Sequence, residues 1–105
     1  MEITYNSTTI KLESDCEKVE TVTEEGKPYV IVTTKVHFDD DKEFLDGLMD
    51  ILEAQQNDFN HRVDFVVEDL SYTGCYIVYV DWMELDYSTV PISDMQIKFA
   101  YDEVS

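Results

Sequence analysis

The chain has 105 residues, and its 24 Asp and Glu against 7 Lys and Arg give a formal net charge of −17. This length suits one domain, and a hydrophobic fraction of 44% supplies a core that needs no metal or disulfide support. Nucleic acid and anionic membranes are disfavoured as direct partners, because this charge would repel both. We therefore predict a single acidic domain over residues 1–105.

The acidic excess is concentrated in the second part of the sequence. Residues 43–105 carry 14 acids and only two bases, Arg62 and Lys98. Solubility alone needs a net charge of about 2–8 in a small domain, and self-repulsion beyond that costs stability. A basic protein surface is the natural complement to such a chain, so we predict a basic protein partner.

The cellular compartment is predicted from the ends and the cysteines. The first residues lack the basic start and apolar run of a signal peptide. The longest apolar run, from Cys75 to Val80, is too short to span a bilayer. We expect a cytoplasmic protein, in a host cell if the chain is viral, with Cys16 and Cys75 reduced. A disulfide between the two is the alternative that the sequence leaves open.

The first part of the chain predicts strands. Alternating apolar residues over 3–12, interrupted by turn-forming residues 6–9, predict a short hairpin. Residues 19–23 predict a weaker strand that ends at the Gly and Pro of 25–28. Residues 29–38 predict a strong strand with one apolar face.

Residues 39 to about 56 predict the only helix. Asp40 is the predicted N-cap, with Glu43 three residues later as in a capping box. Gly47 inside the helix weakens it by about 1 kcal/mol relative to Ala. The apolar residues recur at helical period: Phe44, Leu45, Leu48, Met49, Ile51 and Leu52.

The remainder predicts strands again. Residues 63–67 alternate, 72–74 predict a turn, and 75–85 are apolar on both parities, which indicates a central strand. A loop over 86–93 precedes a last alternating strand over 95–101. Strands, one helix and strands again predict an α+β fold, with a mainly antiparallel sheet of about 5–7 strands and one amphipathic helix packed on one face.

A row of carboxylates on the helix is the strongest functional signal. Intervals of 4, 3, 4 and 3 residues place the row on one helix face, about 5–6 Å apart along the axis. Phosphates of nucleic acid lie at a comparable spacing, roughly 3.4 Å of rise per strand plus displacement around the helix. The alternative is the solvated face of any amphipathic helix, but only Lys42 is available to form stabilising pairs. The row consists of Asp39, Glu43, Asp46, Asp50 and Glu53.

Tyrosines and acids of the later strands extend this candidate surface. Tyr72, Tyr87 and Tyr101 fall in predicted turns or near an end, where aromatic side chains present large contact area to a partner. The alternative is that strands favour Tyr for their own packing. The acids predicted to bind the partner alongside them are Glu68, Asp69, Asp81 and Glu84.

We predict no catalytic residue, cofactor or metal site. His37 beside Asp39 to Asp41 lacks the spacing of a calcium loop, and two histidines without a Cys/His cluster do not make a zinc site. The cysteines lack a nucleophile signature, and the three glycines are isolated, so no phosphate loop exists.

In size, net charge and acidic helix face the chain resembles the small acidic proteins with which phages block host defence nucleases, including anti-CRISPR and anti-restriction proteins. That class shares chemistry and not a fold. The resemblance implies a non-enzymatic inhibitor that occupies a basic, nucleic-acid-binding site on a nuclease or similar protein as a DNA or RNA mimic. Two alternatives remain: an immunity protein against a nuclease toxin, and a virion or tail structural or assembly protein.

Overall fold

The computed structural model describes residues 1–12, 16–37, 40–84 and 92–105. Within these ranges one helix lies between two groups of strands, which confirms the predicted α+β class. The strand number exceeds the predicted range because a two-residue strand follows residue 101. The elements are β1 (Glu2–Tyr5), β2 (Thr8–Lys11), β3 (Cys16–Glu24), β4 (Lys27–His37), α1 (Lys42–Asn57), β5 (Val63–Val67), β6 (Leu70–Glu84), β7 (Ile92–Ala100) and β8 (Glu103–Val104).

The strands form one antiparallel sheet in the order β2-β1-β5-β6-β7-β4-β3, with β8 beside β6. As its two apolar parities predicted, β6 is central. Its first part pairs with β5 and its second part with β7. The long strand therefore joins the two halves of the sheet, and β2 and β3 form its edges.

Three hairpins close through two-residue turns with positive φ at both central residues, as a type I′ turn requires. Asn6 and Ser7 have φ of 47° and 64°, and Glu25 and Gly26 have 51° and 78°. The third pair, Glu68 and Asp69, has φ of 50° and 66°. The sequence predicted the first two turns from Asn and Gly, whereas the third contains neither and Asp69 alone is a weaker signal.

The predicted turn at residues 72–74 is wrong, because β6 runs through these residues. The chain reverses earlier, at Glu68 and Asp69, where Val67 pairs with Leu70. The positive φ of Gly74, 66°, belongs to a bulge instead, since the register shifts between Val63 and Phe65 on the facing strand.

The helix begins later than predicted. Its N-cap is Asp41 and not Asp40, and α1 starts at Lys42. The Asp41 side chain makes no capping bond; its Oδ2 accepts a hydrogen bond of 2.8 Å from the His37 backbone N–H. The Asp41 N–H donates in turn to the His37 carbonyl at 2.8 Å. This reciprocal pair fixes the start of the helix to the end of β4.

The buried face of α1 joins the sheet in one hydrophobic core. Gly47 lies against Ile10 of β2, where a Cβ would come within 2.6 Å of the Ile10 Cγ2. The Gln55 amide accepts from the Ile77 N–H at 2.9 Å and donates to the Ile77 carbonyl at 3.0 Å. Because β5 pairs with β6 only as far as Cys75, Gln55 takes the place of a strand neighbour at Ile77.

Two further predictions are tested by the described residues. Cys75 is buried and its thiol is free, so the alternative of a disulfide to Cys16 is wrong. Within the described ranges, no helix has the length and apolar character needed to cross a membrane.

Candidate interaction surfaces

The helix presents four of the five predicted carboxylates on one exposed face. Glu43, Asp46, Asp50 and Glu53 are all exposed, while Phe44, Leu48 and Ile51 on the opposite side are buried. The last turn of α1 contains no basic residue. Asp39, the first residue of the predicted row, lies outside the described residues. From Glu43 to Glu53 the helix carries no base, and Lys42 at its first position is the exposed cation beside the row.

Met49 is the exception to the predicted apolar stripe. Its side chain is 63% exposed, although the sequence placed it among the buried residues. The core-facing side of α1 is shifted toward Gly47 and Gln55, which are both buried, and this shift leaves Met49 outside it. Met49 lies three residues after Asp46 and four before Glu53, so it is a neighbour of both on the helix surface. The acidic row therefore runs along one side of an exposed apolar side chain.

The β5–β6 turn forms a second acidic projection. Glu68 and Asp69 are both exposed at the tip of the hairpin. Val66 and Leu70 on either side of the turn are 42% and 43% exposed. As on the helix, carboxylates and accessible apolar groups adjoin one another.

Tyr72 is not a surface residue, which corrects the prediction that it binds a partner. It is 1% exposed, and its ring stacks on Phe65 with centroids 4.6 Å apart. Tyr101 packs against it edge-on at 5.0 Å. Burial raises the pKa of the Tyr72 hydroxyl, and the nearby Tyr101 raises it further. The error follows from the misplaced turn. Tyr72 was expected in an exposed turn, whereas it lies within strand β6.

The other predicted residues do not all share one side of the molecule. Asp81 is exposed and pairs in register with Gln96, on the sheet face opposite the buried Ile97 and Phe99. The core between α1 and the sheet includes Ile97 and Phe99, so Asp81 lies on the far face from the helix. Glu84 is the last residue of β6, and Tyr87 lies outside the described residues.

Lys98 on this far face is neutralised within the protein. It is 9% exposed, and its Nζ donates to the Glu24 Oε1 at 2.8 Å. The Tyr29 ring centroid lies 4.6 Å from the same Nζ, and that of Tyr79 lies 6.0 Å away. The hydrogen bond to Glu24 raises the pKa of Lys98. Strand alternation predicted an outward Lys98 but not this burial, which depends on the neighbouring strands.

Pairing of bases with acids leaves fewer positive charges on the outer surface. Lys18 forms an ion pair with Glu20, as Lys98 does with Glu24. These two ion pairs involve two of the 7 Lys and Arg residues of the chain. The exposed acids of α1 and of the β5–β6 turn are therefore poorly compensated.

No metal-binding arrangement occurs among the side chains that the structure describes. They include no group of three or more His, Cys, Asp and Glu that could hold an ion. Asp41, from the acidic run after His37, is buried and bonded to the His37 backbone.

Comparison of the chain with family models, with curated proteins and with solved structures finds no match.

Proposed function

We propose that this chain is a non-enzymatic binding protein whose acidic surface occupies a basic, nucleic-acid-binding site on a partner protein. It would act as a DNA or RNA mimic of the phage anti-CRISPR or anti-restriction type, in the cytoplasm of a host cell. The observation that carries the proposal is the exposed row Glu43, Asp46, Asp50 and Glu53 along one face of α1.

Electrostatics supports a basic partner. The row has an axial repeat of about 5–6 Å, which a site lined by Arg and Lys for a phosphate backbone can accommodate. A net charge of −17 creates a long-range field that steers a basic partner toward the protein and raises the association rate. The same field repels free nucleic acid, so the partner is a protein.

Met49 supplies an apolar contact that the carboxylates do not provide. Binding energy in protein interfaces is concentrated in side chains that become fully desolvated, and rim charges contribute mainly to rate and register. A 63% exposed Met beside the acidic row offers an adaptable apolar contact. We assign it an apolar contact of the interface, with the carboxylates along one side of it.

The proposal is tested by retention and displacement. The immobilised protein is incubated at low salt with a lysate rich in nucleases, and bound proteins are then eluted with rising concentrations of duplex DNA or RNA. We expect a basic nucleic-acid-binding protein that elutes with nucleic acid, since both compete for one site. A retained protein that duplex DNA and RNA fail to displace would contradict mimicry.

The helix row is tested by charge reversal at Asp46 and Asp50. Replacing both with Lys should reduce affinity for the retained protein by about a hundredfold or more, because like-charge contacts cost several kcal/mol. Glu2→Lys with Glu25→Lys is the matched control, since both residues are exposed and lie outside α1. Circular dichroism checks that both variants fold. Equal losses in the two variants would mean that net charge alone matters and the row does not.

The same surface would serve an immunity protein that neutralises a basic nuclease toxin, because the chemistry of contact is identical. An assembly protein of a virion or tail is the second candidate, and one observation favours it. Strand β3, nine residues long, lies at the sheet edge and pairs only with β4 among the described strands. Light scattering after size-exclusion chromatography separates these functions, since assembly through β3 predicts large species without a partner.

A further inference from the structure

A cavity of about 320 Å³ opens where β4 begins and β7 ends. Its volume falls in the range of small-molecule sites, roughly 300–1,000 Å³. None of its lining residues belongs to α1, so it is separate from the acidic helix face. Its polar and aromatic walls are formed by Lys27, Arg62, Gly74, Tyr76, Tyr101 and Asp102.

Arg62 is held in place before any ligand binds. Its Nη1 donates to the Phe59 carbonyl at 3.0 Å and to the His61 carbonyl at 2.9 Å. Its guanidinium carbon lies 5.2 Å from the centre of the Tyr76 ring. Its Nε and Nη2 hydrogens make no bond with the described residues. The guanidinium is therefore oriented by one nitrogen and can donate through the others.

Lys27 and Arg62 are the two basic residues that line the cavity. No carboxylate among the described residues lies within ion-pair distance of Lys27 or Arg62. This is unexpected in a chain with 24 acids, and it contrasts with Lys98, which is paired with Glu24. Lys27 and Arg62 thus bring two cations to a cavity that one carboxylate, Asp102, also lines, and such cations bind phosphate by charge-assisted hydrogen bonds.

Asp102 adds a negatively charged hydrogen-bond acceptor to the cavity that the two bases line. Its N–H donates to the Thr73 carbonyl at 3.0 Å, which fixes its backbone to β6. Its carboxylate lies over Gly74, where a Cβ would collide with it. The glycine thus makes room for the carboxylate in the cavity wall.

We propose that this cavity binds a nucleoside monophosphate, with guanine as the preferred base. Arg62 and Lys27 bind the phosphate, which Arg contacts through its fork of N–H donors. Tyr101 provides aromatic surface for the base, while the Tyr76 ring lies against the Arg62 guanidinium. The carboxylate of Asp102 accepts hydrogen bonds from adjacent N–H groups of the base, and guanine presents two of these together.

Isothermal titration calorimetry with guanosine monophosphate tests the site. We expect saturable binding with one site per chain, weaker binding of uridine monophosphate, and weaker binding still of inorganic phosphate or of guanosine. Uridine monophosphate lacks the paired N–H groups that Asp102 would accept from, guanosine lacks the phosphate, and inorganic phosphate lacks both contacts of the base. Equal affinity for all four probes, or no binding of guanosine monophosphate at millimolar concentration, would overturn the proposal.

Variants assign the contacts. Lys27→Gln should weaken binding of guanosine monophosphate by about tenfold, the effect of losing one charged hydrogen bond. Lys42→Gln is the matched control, because it makes the same charge change at an exposed residue outside the cavity. Asp102→Asn should abolish the preference for guanine over uracil without preventing phosphate binding. Equal weakening by Lys27→Gln and Lys42→Gln, or an unchanged base preference in Asp102→Asn, would overturn the assignment.

Discussion

At the scale of single residues, Cys75 shows how burial removes a candidate chemistry. Burial raises the pKa of the Cys75 thiol to about 12, and the charge of Asp64 acts in the same direction. A thiol attacks electrophiles only as the thiolate, so this residue stays protonated and unreactive near neutral pH. Its environment is that of a small apolar core residue and not of a nucleophile.

We predict slow labelling of Cys75 in the folded protein. In the Cys16→Ser variant, a thiol-reactive chromogenic reagent should modify one cysteine per chain only after unfolding. The free energy of unfolding should fall as pH rises from about 9 to about 12, because the unfolded thiol ionises first while the folded one remains protonated. Cys75→Ala is the control for the pH effect. Fast labelling of the native variant at neutral pH would contradict the burial.

Tyr72 and Lys98 mark the limit of prediction at this scale. Alternation along a strand gives the face on which a side chain lies, and it correctly placed Ile97 and Phe99 together. It does not give the depth of burial. Lys98 is covered by the rings of Tyr29 and Tyr79. These residues belong to other strands, and only the fold brings them beside it. Tyr72 is covered because the chain turns at Glu68 and Asp69, where Asp69 is a weaker turn signal than the Gly at residue 74.

At the scale of elements, Gly47 determines how closely the helix approaches β2. The sequence identified this glycine only as a weakness of the helix. In the structure it leaves room for Ile10, whose Cγ2 would lie 2.6 Å from a Cβ at position 47. Replacing the glycine would therefore raise the helix propensity but disturb the close packing, so the two effects on stability oppose each other.

We predict that Gly47→Ala destabilises the protein. Its gain in helix propensity is about 1 kcal/mol, whereas overpacking against Ile10 costs about 1–3 kcal/mol. Urea unfolding should therefore give a loss of up to about 2 kcal/mol in the free energy of unfolding. In an Ile10→Ala background the methyl group has space, so the same substitution should become stabilising. A stabilising effect in the parent chain would show that helix propensity dominates.

Elements with local signals were predictable, and those that depend on distant contacts were not. The apolar period of α1 and the alternation of β4 both identify their elements in the sequence. The helix start moved to Asp41 because its carboxylate bonds to the His37 backbone and not within its own first turn. Gln55 gave no signal at all, since its bonds to Ile77 span 22 residues.

At the scale of the whole molecule, the charge acts in opposite directions on folding and on binding. Self-repulsion among 24 acids opposes the compact state, and the internal pairing of Lys98 with Glu24 does not relieve the exposed helix row. The net charge could be read from the sequence. Its division between the helix, the β5–β6 turn and the far face of the sheet required the fold, because strand alternation and topology place Asp81 away from α1.

We therefore predict salt responses of opposite sign. Raising sodium chloride from about 0.01 to 0.15 M shortens the Debye length from about 30 to about 8 Å. The melting temperature should rise, because repulsion between carboxylates is screened. The association rate with the retained basic protein should fall steeply over the same range, because steering is screened as well. The Glu2→Lys, Glu25→Lys variant should show a smaller rise in melting temperature, since its net charge is reduced by four units. An association rate that stays constant across this range would exclude an electrostatic interface, whereas a melting temperature that falls with salt would show that attraction dominates within the fold.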